Sequence, residues 1–294
     1  MIKQVNTISP SQKYFKFSIN GQMVGKIPHP KITSAITDLD HTLLKSYVVD
    51  ATKKTIHLKT SEFEVSNRVN DLANLIYKNR PELIPGWRGE QYPIFSPGSL
   101  VKVKSPEKDY IGSVERAAAD SIFGVEKFGA HLTIFKNSGE LKILIAKRAA
   151  NKSKYPGYWD NAVAGGINVE TTPSECIKKE AFEEAGIIDE KILEKIREIG
   201  TTSHCSSKSC FSKSIQYNYE LDVSEFENFE AEPTDGEVES FKFCSVNEVL
   251  DLLVSGNFKP ISAIVTVQFL IQKGVLDVEN TECFHEIVKG LNNY

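Results

Sequence analysis

The chain has 294 residues, of which 25% are charged and 40% hydrophobic, a balance typical of a globular protein with one or two domains. Its formal net charge of -4 and the lack of a dense basic run disfavour nucleic acid as a partner. No apolar stretch approaches the roughly 20 residues of a membrane-spanning helix, and the first residues lack the apolar core of a signal peptide. Five scattered cysteines indicate a reducing compartment. We therefore expect a cytoplasmic protein without a membrane partner.

The first elements of the chain predict a small mixed domain. Tyr14 to Ile27 has the pattern of a hairpin, because alternating apolar residues precede Asn20-Gly21, a dipeptide typical of a type I′ turn. A strand is predicted at Thr55 to Leu58. A helix is predicted from about Glu64 to Lys78, where apolar residues recur at helical spacing.

A turn-rich stretch separates this region from the rest of the chain. Ser96 to Asp109 contains two prolines and a glycine, which makes it the candidate linker, and a connecting helix is predicted at Val114 to Ile122. We therefore predict an N-terminal α+β module over residues 1–113 and a second domain over residues 114–294.

The second domain alternates strands and helices, and this pattern predicts an α/β fold. Its predicted elements are strands at His131 to Phe135, Leu141 to Ala146, Ser214 to Leu221 and Ser240 to Phe243, and helices at Val246 to Leu253 and Ala263 to Lys273.

One further helix has clear signals at both ends. Thr172-Pro173-Ser174-Glu175 is a capping box with proline at the first helical position, and Gly186 provides the stop. Along this helix, Ile177, Ala181 and Ala185 share one apolar face. The spacing predicts that this face packs on the core.

Three carboxylates converge on a neighbouring face of the same helix. Glu180, Glu183 and Glu184 stand at i, i+3 and i+4, within about 100° of arc, close to the end of the helix where the macrodipole disfavours anions. A solvated acidic face paired with lysines such as Lys179 would explain the pattern. A Mg²⁺ site would explain it as well, and the segment before the helix favours the metal, because glycine at Gly165 would let a backbone carbonyl approach the ion.

The segment from Gly165 to Ile187 resembles the Nudix box, G-x5-E-x7-R-E-U-x-E-E-x-G-U, where U is a bulky aliphatic residue. Gly165 matches the first glycine, and Lys179 to Ile187 match the second half. Two positions depart, because Thr171 and Lys179 replace the glutamate and arginine that brace the loop against the helix in that family. The resemblance implies a hydrolase with the Nudix α/β/α sandwich and a mixed sheet, preceded by the small α+β module.

Further motifs resemble a branch of Nudix proteins related to thiamine pyrophosphokinase. They are Leu83 to Arg88, Glu115 to Ala118, Tyr155-Pro156-Gly157, Ala164-Gly165-Gly166 and Thr234 to Val238. The resemblance implies that Mg²⁺, with Mn²⁺ as a substitute, supports hydrolysis of a small diphosphate substrate. The substrate would be thiamine diphosphate, or its oxidised or oxygen-substituted analogues, and the products a monophosphate and phosphate. Another nucleoside diphosphate derivative stays open as the substrate, and so does a homodimer.

The same resemblance implies roles for individual residues. Glu180, Glu183 and Glu184 would be catalytic metal ligands, with the carbonyl of Gly165 as a further ligand, and Glu237 would be a fourth catalytic carboxylate that acts as a ligand or general base.

Several residues are expected to contact the substrate. Arg148 and Arg88 could hold phosphate oxygens. Trp159, Asn161 and Trp87 are candidates for the organic part of the substrate, although packing in the core or between domains is the favoured explanation for both tryptophans.

Other functions fit these patterns less well. Isopentenyl-diphosphate isomerase shares the fold, but this chain has Val163, Ala164 and Gly165 where that chemistry needs a cysteine and a histidine. A catalytically silent Nudix module is disfavoured by the three helix glutamates. Asp38 to Thr42 imitates the nucleophile motif of haloacid-dehalogenase-type phosphatases, but the chain has no Gly-Asp pair to complete it. Cys205 and Cys210 match no usual zinc spacing.

Overall fold

A computed structural model describes residues 14–28, 35–36, 45–96, 109–205 and 213–291. The strands are β1 (Tyr14–Ile19), β2 (Gln22–Pro28), β3 (Tyr47–Asp50), β4 (Thr55–Leu58), β5 (Gln91–Phe95), β6 (Tyr110–Glu115), β7 (Lys127–Asn137), β8 (Leu141–Arg148), β9 (Trp159–Asn161), β10 (Val163–Gly166), β11 (Arg197–Cys205), β12 (Lys213–Asp222) and β13 (Val238–Ser245). The helices are α1 (Val65–Asn79), α2 (Arg116–Ala118), α3 (Pro173–Ala185), α4 (Glu190–Leu193), α5 (Val246–Ser255), α6 (Pro260–Gln272) and α7 (Phe284–Leu291).

Some residues discussed above lie outside the described ranges. They are the motif Asp38 to Thr42, Cys210, and residues 97–108 of the candidate linker. Within the ranges that the structure describes, no helix is long and apolar enough to cross a membrane.

The N-terminal module is a four-stranded sheet covered by α1. The strand order is β2-β1-β4-β3, and β1 runs parallel to β4. The predicted hairpin is confirmed, because β1 pairs with β2 across Asn20 and Gly21, whose φ angles of 48° and 88° suit a type I′ turn. The predicted helix is confirmed within one residue at each end, and its buried face includes Val69 and Ile76.

The region before the second domain differs from its prediction. Val114 lies in β6 and pairs with Tyr92 of β5, so the expected helix from Val114 to Ile122 starts two residues late. Only α2 is α-helical, and a five-residue π-type turn at Ala119–Phe123 follows it. Local periodicity could not reveal this, because the strand pairs with residues about twenty positions earlier in the chain.

The second domain is built on a seven-stranded mixed sheet. The order β11-β12-β7-β8-β13 forms the main path, with β10 beside β7 and β9 beside β8. Within this sheet β12 and β7 run parallel, whereas the other pairs are antiparallel. Helix α3 packs on one face, and helices α5 and α6 pack on the other. The predicted α/β/α sandwich after a small α+β module is therefore confirmed.

The segment between the two parts belongs to the N-terminal core. Val114, Ile122, Phe123 and Val125 are buried with the side chains of the first sheet, whereas the core under α3 begins at Phe128. The division at residue 113 therefore stays a prediction, and this packing favours a boundary near residue 126.

Backbone contact joins the segment to the first hairpin. A Cβ on Gly25 would lie 2.2 Å from the carbonyl oxygen of Phe123, and a Cβ on Gly124 would lie 2.1 Å from that of Lys26. Only glycine permits so close an approach at either position, and Gly124 in addition has a φ of 56°.

Candidate active site

Helix α3 is placed by its capping residues. The Thr172 hydroxyl accepts a hydrogen bond from the Glu175 amide at 3.1 Å, and the Glu175 carboxylate accepts one from the Thr172 amide at 2.8 Å. The helix ends at Ala185, and Gly186 follows with a φ of 64°. The capping box and the glycine stop are thus confirmed, and Ile177 and Ala181 are buried as predicted.

Two glycines allow strand β10 to approach this helix. A Cβ on Gly165 would lie 2.4 Å from Cγ of Glu180, so any other residue would push that glutamate away. A Cβ on Gly166 would lie 1.8 Å from the Tyr92 hydroxyl, which comes from β5. Gly165 therefore leaves room for Glu180, and Gly166 leaves room for the hydroxyl of Tyr92.

The structure brings together three carboxylates from two segments. Oxygen atoms of Glu184, Asp235 and Glu237 all lie within 4.8 Å of one another. Glu184 is fixed by the Ala164 amide, which donates to its Oε2 at 2.9 Å, and the Glu237 amide donates to Asp235 at 2.8 Å. Hard divalent cations prefer carboxylate oxygens, so the chemistry of this donor set fits Mg²⁺ or Mn²⁺.

Sequence reasoning missed Asp235. The residue stands in the motif Thr234 to Val238, where two acids flank Gly236, whose φ is 76°. A turn that places two carboxylates at i and i+2 was the available signal, but a turn has no periodicity to show which side chain faces the helix.

The other two helix glutamates occupy different surroundings. Glu180 lies against Gly165, beside the three carboxylates but outside their 4.8 Å group. Glu183 forms an ion pair with Lys179 one turn earlier, at 2.9 Å between nitrogen and oxygen. The predicted roles of Glu180, Glu183 and Gly165 as ligands therefore stay predictions.

Burial changes the protonation of the two inner glutamates. It raises the pKa of Glu180 to about 7, with the neighbouring Glu183 and Glu237 adding to the rise against the charge of Lys179. It raises the pKa of Glu184 to about 8, although the hydrogen bond from Ala164 favours the anion. A divalent ion at the cluster would reverse both shifts, because it favours the charged carboxylates.

The pKa of Glu237 shifts in the opposite direction. Burial alone would raise its pKa, but a hydrogen bond from Lys152 and the charges of Lys152 and Arg88 lower it below the ordinary value. Lys152 is in direct contact with one carboxylate oxygen, and Arg88 Nη1 lies 3.7 Å from the other. Glu237 is therefore ionised at neutral pH.

Thr171 and Lys179, which depart from the Nudix box, bind partners close to them in the chain. The Thr171 hydroxyl donates to the Asn168 side chain at 3.0 Å, which closes the loop before the helix. Lys179 binds Glu183 on its own helix rather than reaching the loop. Each of these residues is held within its own segment, so the loop and helix are not braced by this pair.

Arg148 and Asn161 are engaged within the protein. Arg148 donates to Asp160 at 2.8 Å and to the carbonyl oxygens of Lys154 and Tyr155, so it braces the loop between β8 and β9. Asn161 is buried and bonds His131 through its oxygen and Thr266 through its nitrogen. Because these contacts occupy both polar ends of the Asn161 amide, the structure does not favour a substrate contact for it.

Both tryptophans pack against protein. Trp87 stacks on Tyr77 of α1, with ring centroids 4.5 Å apart and planes 17° apart. Trp159 packs with the core under α6, and Lys147 lies 4.8 Å from its ring centroid. Substrate binding by these residues stays a prediction, and packing is the role their contacts support.

A surface depression lies next to the carboxylates. It has a volume of about 460 Å³, and its lining residues are Phe182, Glu183, Gly186, Ile188, Glu232, Thr234 and Asp235. Phe182 and Ile188 are 57% and 72% exposed, so both offer apolar surface to the depression. Asp235 is shared with the carboxylate cluster, so a molecule in the depression would reach the cluster.

Comparison with known proteins agrees with this architecture. The chain is 28% identical over 296 residues to an uncharacterized protein of Saccharomyces cerevisiae, a match that covers 95% of this chain and 83% of that protein. Nudix hydrolase 20 of Arabidopsis thaliana, a chloroplastic protein, is 33% identical over 202 residues, or 68% of this chain and 51% of that protein. The chain thus spans about half the length of that plant relative.

A second plant relative matches over more of the chain. Nudix hydrolase 24 of Arabidopsis thaliana is 28% identical over 272 residues, or 91% of this chain and 70% of that protein. It too is chloroplastic, and a cytoplasmic location for the present chain stays a prediction.

The match to a family model is confined to the second domain. Residues 127–264 match the model of the NUDIX domain, and they contain helix α3 together with Asp235 and Glu237. On these matches, residues 127–264 form a Nudix domain, and the protein is a Nudix-type diphosphate hydrolase.

Proposed function

We propose that the substrate is thiamine diphosphate, or one of its oxidised or oxygen-substituted analogues, and that the enzyme releases a monophosphate and phosphate. The observation that carries the proposal is the group of Glu184, Asp235 and Glu237, whose oxygens lie within 4.8 Å beside a partly apolar depression. Carboxylates on one side and an organic binding surface on the other suit a small molecule that carries a diphosphate.

The carboxylate group is the proposed binding site for Mg²⁺, with Mn²⁺ as a substitute. When bound there, the ion would neutralise charge on the diphosphate oxygens and make the attacking water more acidic. Glu184 is held in place for this role by the Ala164 amide. Glu180 and the carbonyl of Gly165 complete the proposed ligands on the side of β10.

The pKa of Glu237 favours metal binding over proton transfer. Glu237 has a lowered pKa, so it is ionised at neutral pH but is a weak base, and we assign it to metal binding. Burial raises the pKa of Glu180 to about 7 in the metal-free site. A divalent ion bound beside Glu180 would lower that pKa again, so Glu180 stays among the proposed metal ligands.

The depression beside Asp235 is the proposed site for the organic group. Phe182 and Ile188 offer an apolar surface, and Glu232 adds negative charge beside it, whereas Lys179 balances the charge of Glu183. A positively charged aromatic ring, such as the thiazolium of thiamine diphosphate, suits this combination better than a neutral base does.

A hydrolysis screen tests the proposal, with free phosphate measured for the thiamine compounds and chromatography used to detect the phosphomonoester products of the others. The substrates are thiamine diphosphate, its oxo and oxy analogues, ADP-ribose, NADH, CoA and dinucleoside polyphosphates, each with Mg²⁺, with Mn²⁺ and with chelator. We expect turnover of the thiamine-type compounds, loss with chelator, and a drop of about 100-fold or more for Asp235→Asn, as for removal of a group that stabilises transition-state charge. Glu227→Gln, an exposed change outside the site, should match the wild type.

Two results would contradict the proposal. Faster turnover of a nucleoside derivative would reassign the substrate while keeping the reaction. Failure to hydrolyse any of the compounds would favour a catalytically silent module instead. The residues of the site disfavour the isomerase alternative, because Val163, Ala164 and Gly165 stand where that chemistry needs a cysteine and a histidine. Cys176 nearby does not replace them, because burial raises its pKa to about 12 and keeps it a neutral thiol.

A further inference from the structure

Two cations from distant parts of the sequence hold Glu237. Lys152 comes from the loop between β8 and β9, and Arg88 comes from the N-terminal module. Lys152 is 14% exposed and Arg88 is 45% exposed, so the arginine lies at the open side of the carboxylate cluster. The N-terminal module thus places a guanidinium beside a proposed metal ligand of the Nudix domain.

The loop that carries Arg88 is anchored on both sides. Its neighbour Trp87 stacks on Tyr77, and the Arg88 amide donates to the buried carboxylate of Glu115 at 3.0 Å. The other oxygen of Glu115 accepts hydrogen bonds from Ala117 at 2.7 Å and from the next residue at 3.0 Å. A buried carboxylate with three backbone donors is a rigid support, so the position of Arg88 does not depend on its side-chain partner.

The two cations and a metal ion compete for Glu237. A dication bound at Glu184, Asp235 and Glu237 needs the oxygens that now face Lys152 and Arg88. Once Glu237 turned to the ion, both cations would stand beside a positive centre without an anion. A bound diphosphate would supply the missing negative charge, and the planar guanidinium of Arg88 can donate hydrogen bonds to two phosphate oxygens at once.

We infer that Arg88 and Lys152 form a diphosphate clamp that is held by Glu237 in the free enzyme and released to the substrate when the metal takes Glu237. The clamp rests on the proposed function, since it requires a metal and a diphosphate at the same cluster. It makes Arg88 a substrate-binding residue and makes the N-terminal module part of the active site. It also makes metal and diphosphate strengthen each other's binding, because linkage is reciprocal.

Binding measurements on the full chain test the clamp without turnover. The probes are Mn²⁺ and methylenediphosphonate, a diphosphate analogue whose P–C–P bridge resists hydrolysis, and the readout is isothermal titration calorimetry of each with and without the other. For the wild type we expect the diphosphonate to tighten Mn²⁺ binding by about 10-fold or more, within the usual range of coupling between sites.

The Arg88→Gln variant should change the two affinities in opposite directions. Mn²⁺ alone should bind at least as tightly as to the wild type, because Glu237 loses a competitor, whereas the diphosphonate should bind about 10-fold more weakly and the coupling should fall to about 2-fold. Arg88→Lys keeps the charge and should lie between. Lys152→Met should resemble Arg88→Gln.

Arg80→Gln is the matched control. Arg80 lies in the same module and pairs with the exposed Glu82, so its loss should leave both affinities and the coupling at wild-type values. Thermal melting of each variant checks the fold, and Arg88→Lys supplies the comparison if Arg88→Gln does not fold. Wild-type coupling and diphosphonate affinity in Arg88→Gln would overturn the clamp.

Turnover separates failure of the clamp from failure of the proposed function. If the wild type hydrolyses a diphosphate substrate but Arg88→Gln keeps its KM and its Mn²⁺ coupling, the clamp is wrong and the function stands. If the coupling depends on Arg88 but no diphosphate is hydrolysed, the clamp stands as a binding device and the proposed function is wrong.

Discussion

Single residues of this site have charges that depend on what surrounds them. Glu184 and Glu237 lie in one cluster, yet burial raises the pKa of Glu184 to about 8 while Lys152 and Arg88 lower that of Glu237. The metal-free cluster is therefore partly protonated at neutral pH. A divalent ion must displace a proton from Glu184 before it can use that carboxylate, so its affinity should rise with pH.

The raised pKa of Glu184 predicts how the stability of the metal-free protein depends on pH. Between about pH 5 and pH 8 the folded chain keeps a proton on Glu184 that the unfolded chain releases near pH 4.5, so the contribution of Glu184 to the free energy of unfolding should fall as pH rises. Melting temperatures in chelator from pH 5.5 to pH 9 measure this. Glu184→Gln should flatten the fall, and Glu227→Gln should keep it. The same slope in the wild type and in Glu184→Gln would refute the shift. The comparison between the two proteins is needed because buried His131 and His204, whose pKa values are lowered to about 4, contribute the opposite slope below about pH 6.5 in both.

The sequence was sufficient to predict which helix residues carry the carboxylates, but not which residues from other segments contact them. The spacing of Glu180, Glu183 and Glu184 follows from helix geometry, so their shared side could be predicted. Asp235 could not be singled out in this way, because its place near Glu184 depends on where a turn meets the helix. The partners of Arg148 were equally hidden, since only the folded chain brings Asp160 to it.

At the scale of elements, helix α3 and strand β10 act as one unit. Local signals sufficed for the helix, because a capping box and a glycine stop act within a few residues. Strand β6 could not be predicted from local pattern, since it depends on pairing with β5. The same holds for β11, which was not predicted and which pairs with β12 along the edge of the sheet.

The contact between β10 and α3 leads to a prediction for Gly165. Gly165→Ala would place a Cβ 2.4 Å from Cγ of Glu180, so the glutamate must move. We expect activity to fall by about 100-fold or more, in line with the loss of a positioned catalytic group, while the melting temperature changes little. Kinetics and thermal melting of the same preparation measure both.

Gly166→Ala provides the comparison for this prediction. Its Cβ would meet the Tyr92 hydroxyl instead of Glu180, so Tyr92→Phe should restore part of its activity. The same second change should not rescue Gly165→Ala. If it rescued both variants equally, the two glycines would have a common structural role and the specific contact with Glu180 would be wrong.

At the scale of the whole molecule, a buried ion cluster ties the Nudix sheet to α6. Asp160 of β9 accepts hydrogen bonds from Arg148 at 2.8 Å, from Lys259 at 2.9 Å and from Ser262. Burial alone would raise the pKa of Asp160, but the charge of Lys259 and these hydrogen bonds lower it to about 2. The strand that leads into the glycine loop is therefore fixed to a helix on the far face of the sheet.

Loss of this carboxylate should weaken the fold. Asp160→Asn would leave Arg148 and Lys259 without their anion, and breaking a buried ion pair on one side typically destabilises by about 3–5 kcal/mol. Urea unfolding measures the change in the free energy of unfolding. Asp251→Asn, at an exposed position of α5, should change it by less than about 0.5 kcal/mol. A loss below about 1 kcal/mol for Asp160→Asn would show that the cluster contributes little.

The arrangement of the two modules was the least accessible to sequence reasoning. Composition and turn residues suggested two parts, and the class of each was predicted correctly. No pattern showed that residues 114–125 pack with the first sheet, or that Arg88 reaches Glu237, because both depend on contacts between segments far apart in the chain.

The glycine contact between the first hairpin and the connecting segment limits how this protein can be divided. The backbones at Gly25 and Gly124 nearly touch, and Ile122 and Phe123 are buried in the core of the N-terminal module. A Nudix fragment that begins at residue 114 would keep these two side chains but lose the core that buries them. A chimaera that joins this N-terminal module to another Nudix domain must bring residues 114–125 with it. The transferable unit is therefore the module together with its connector.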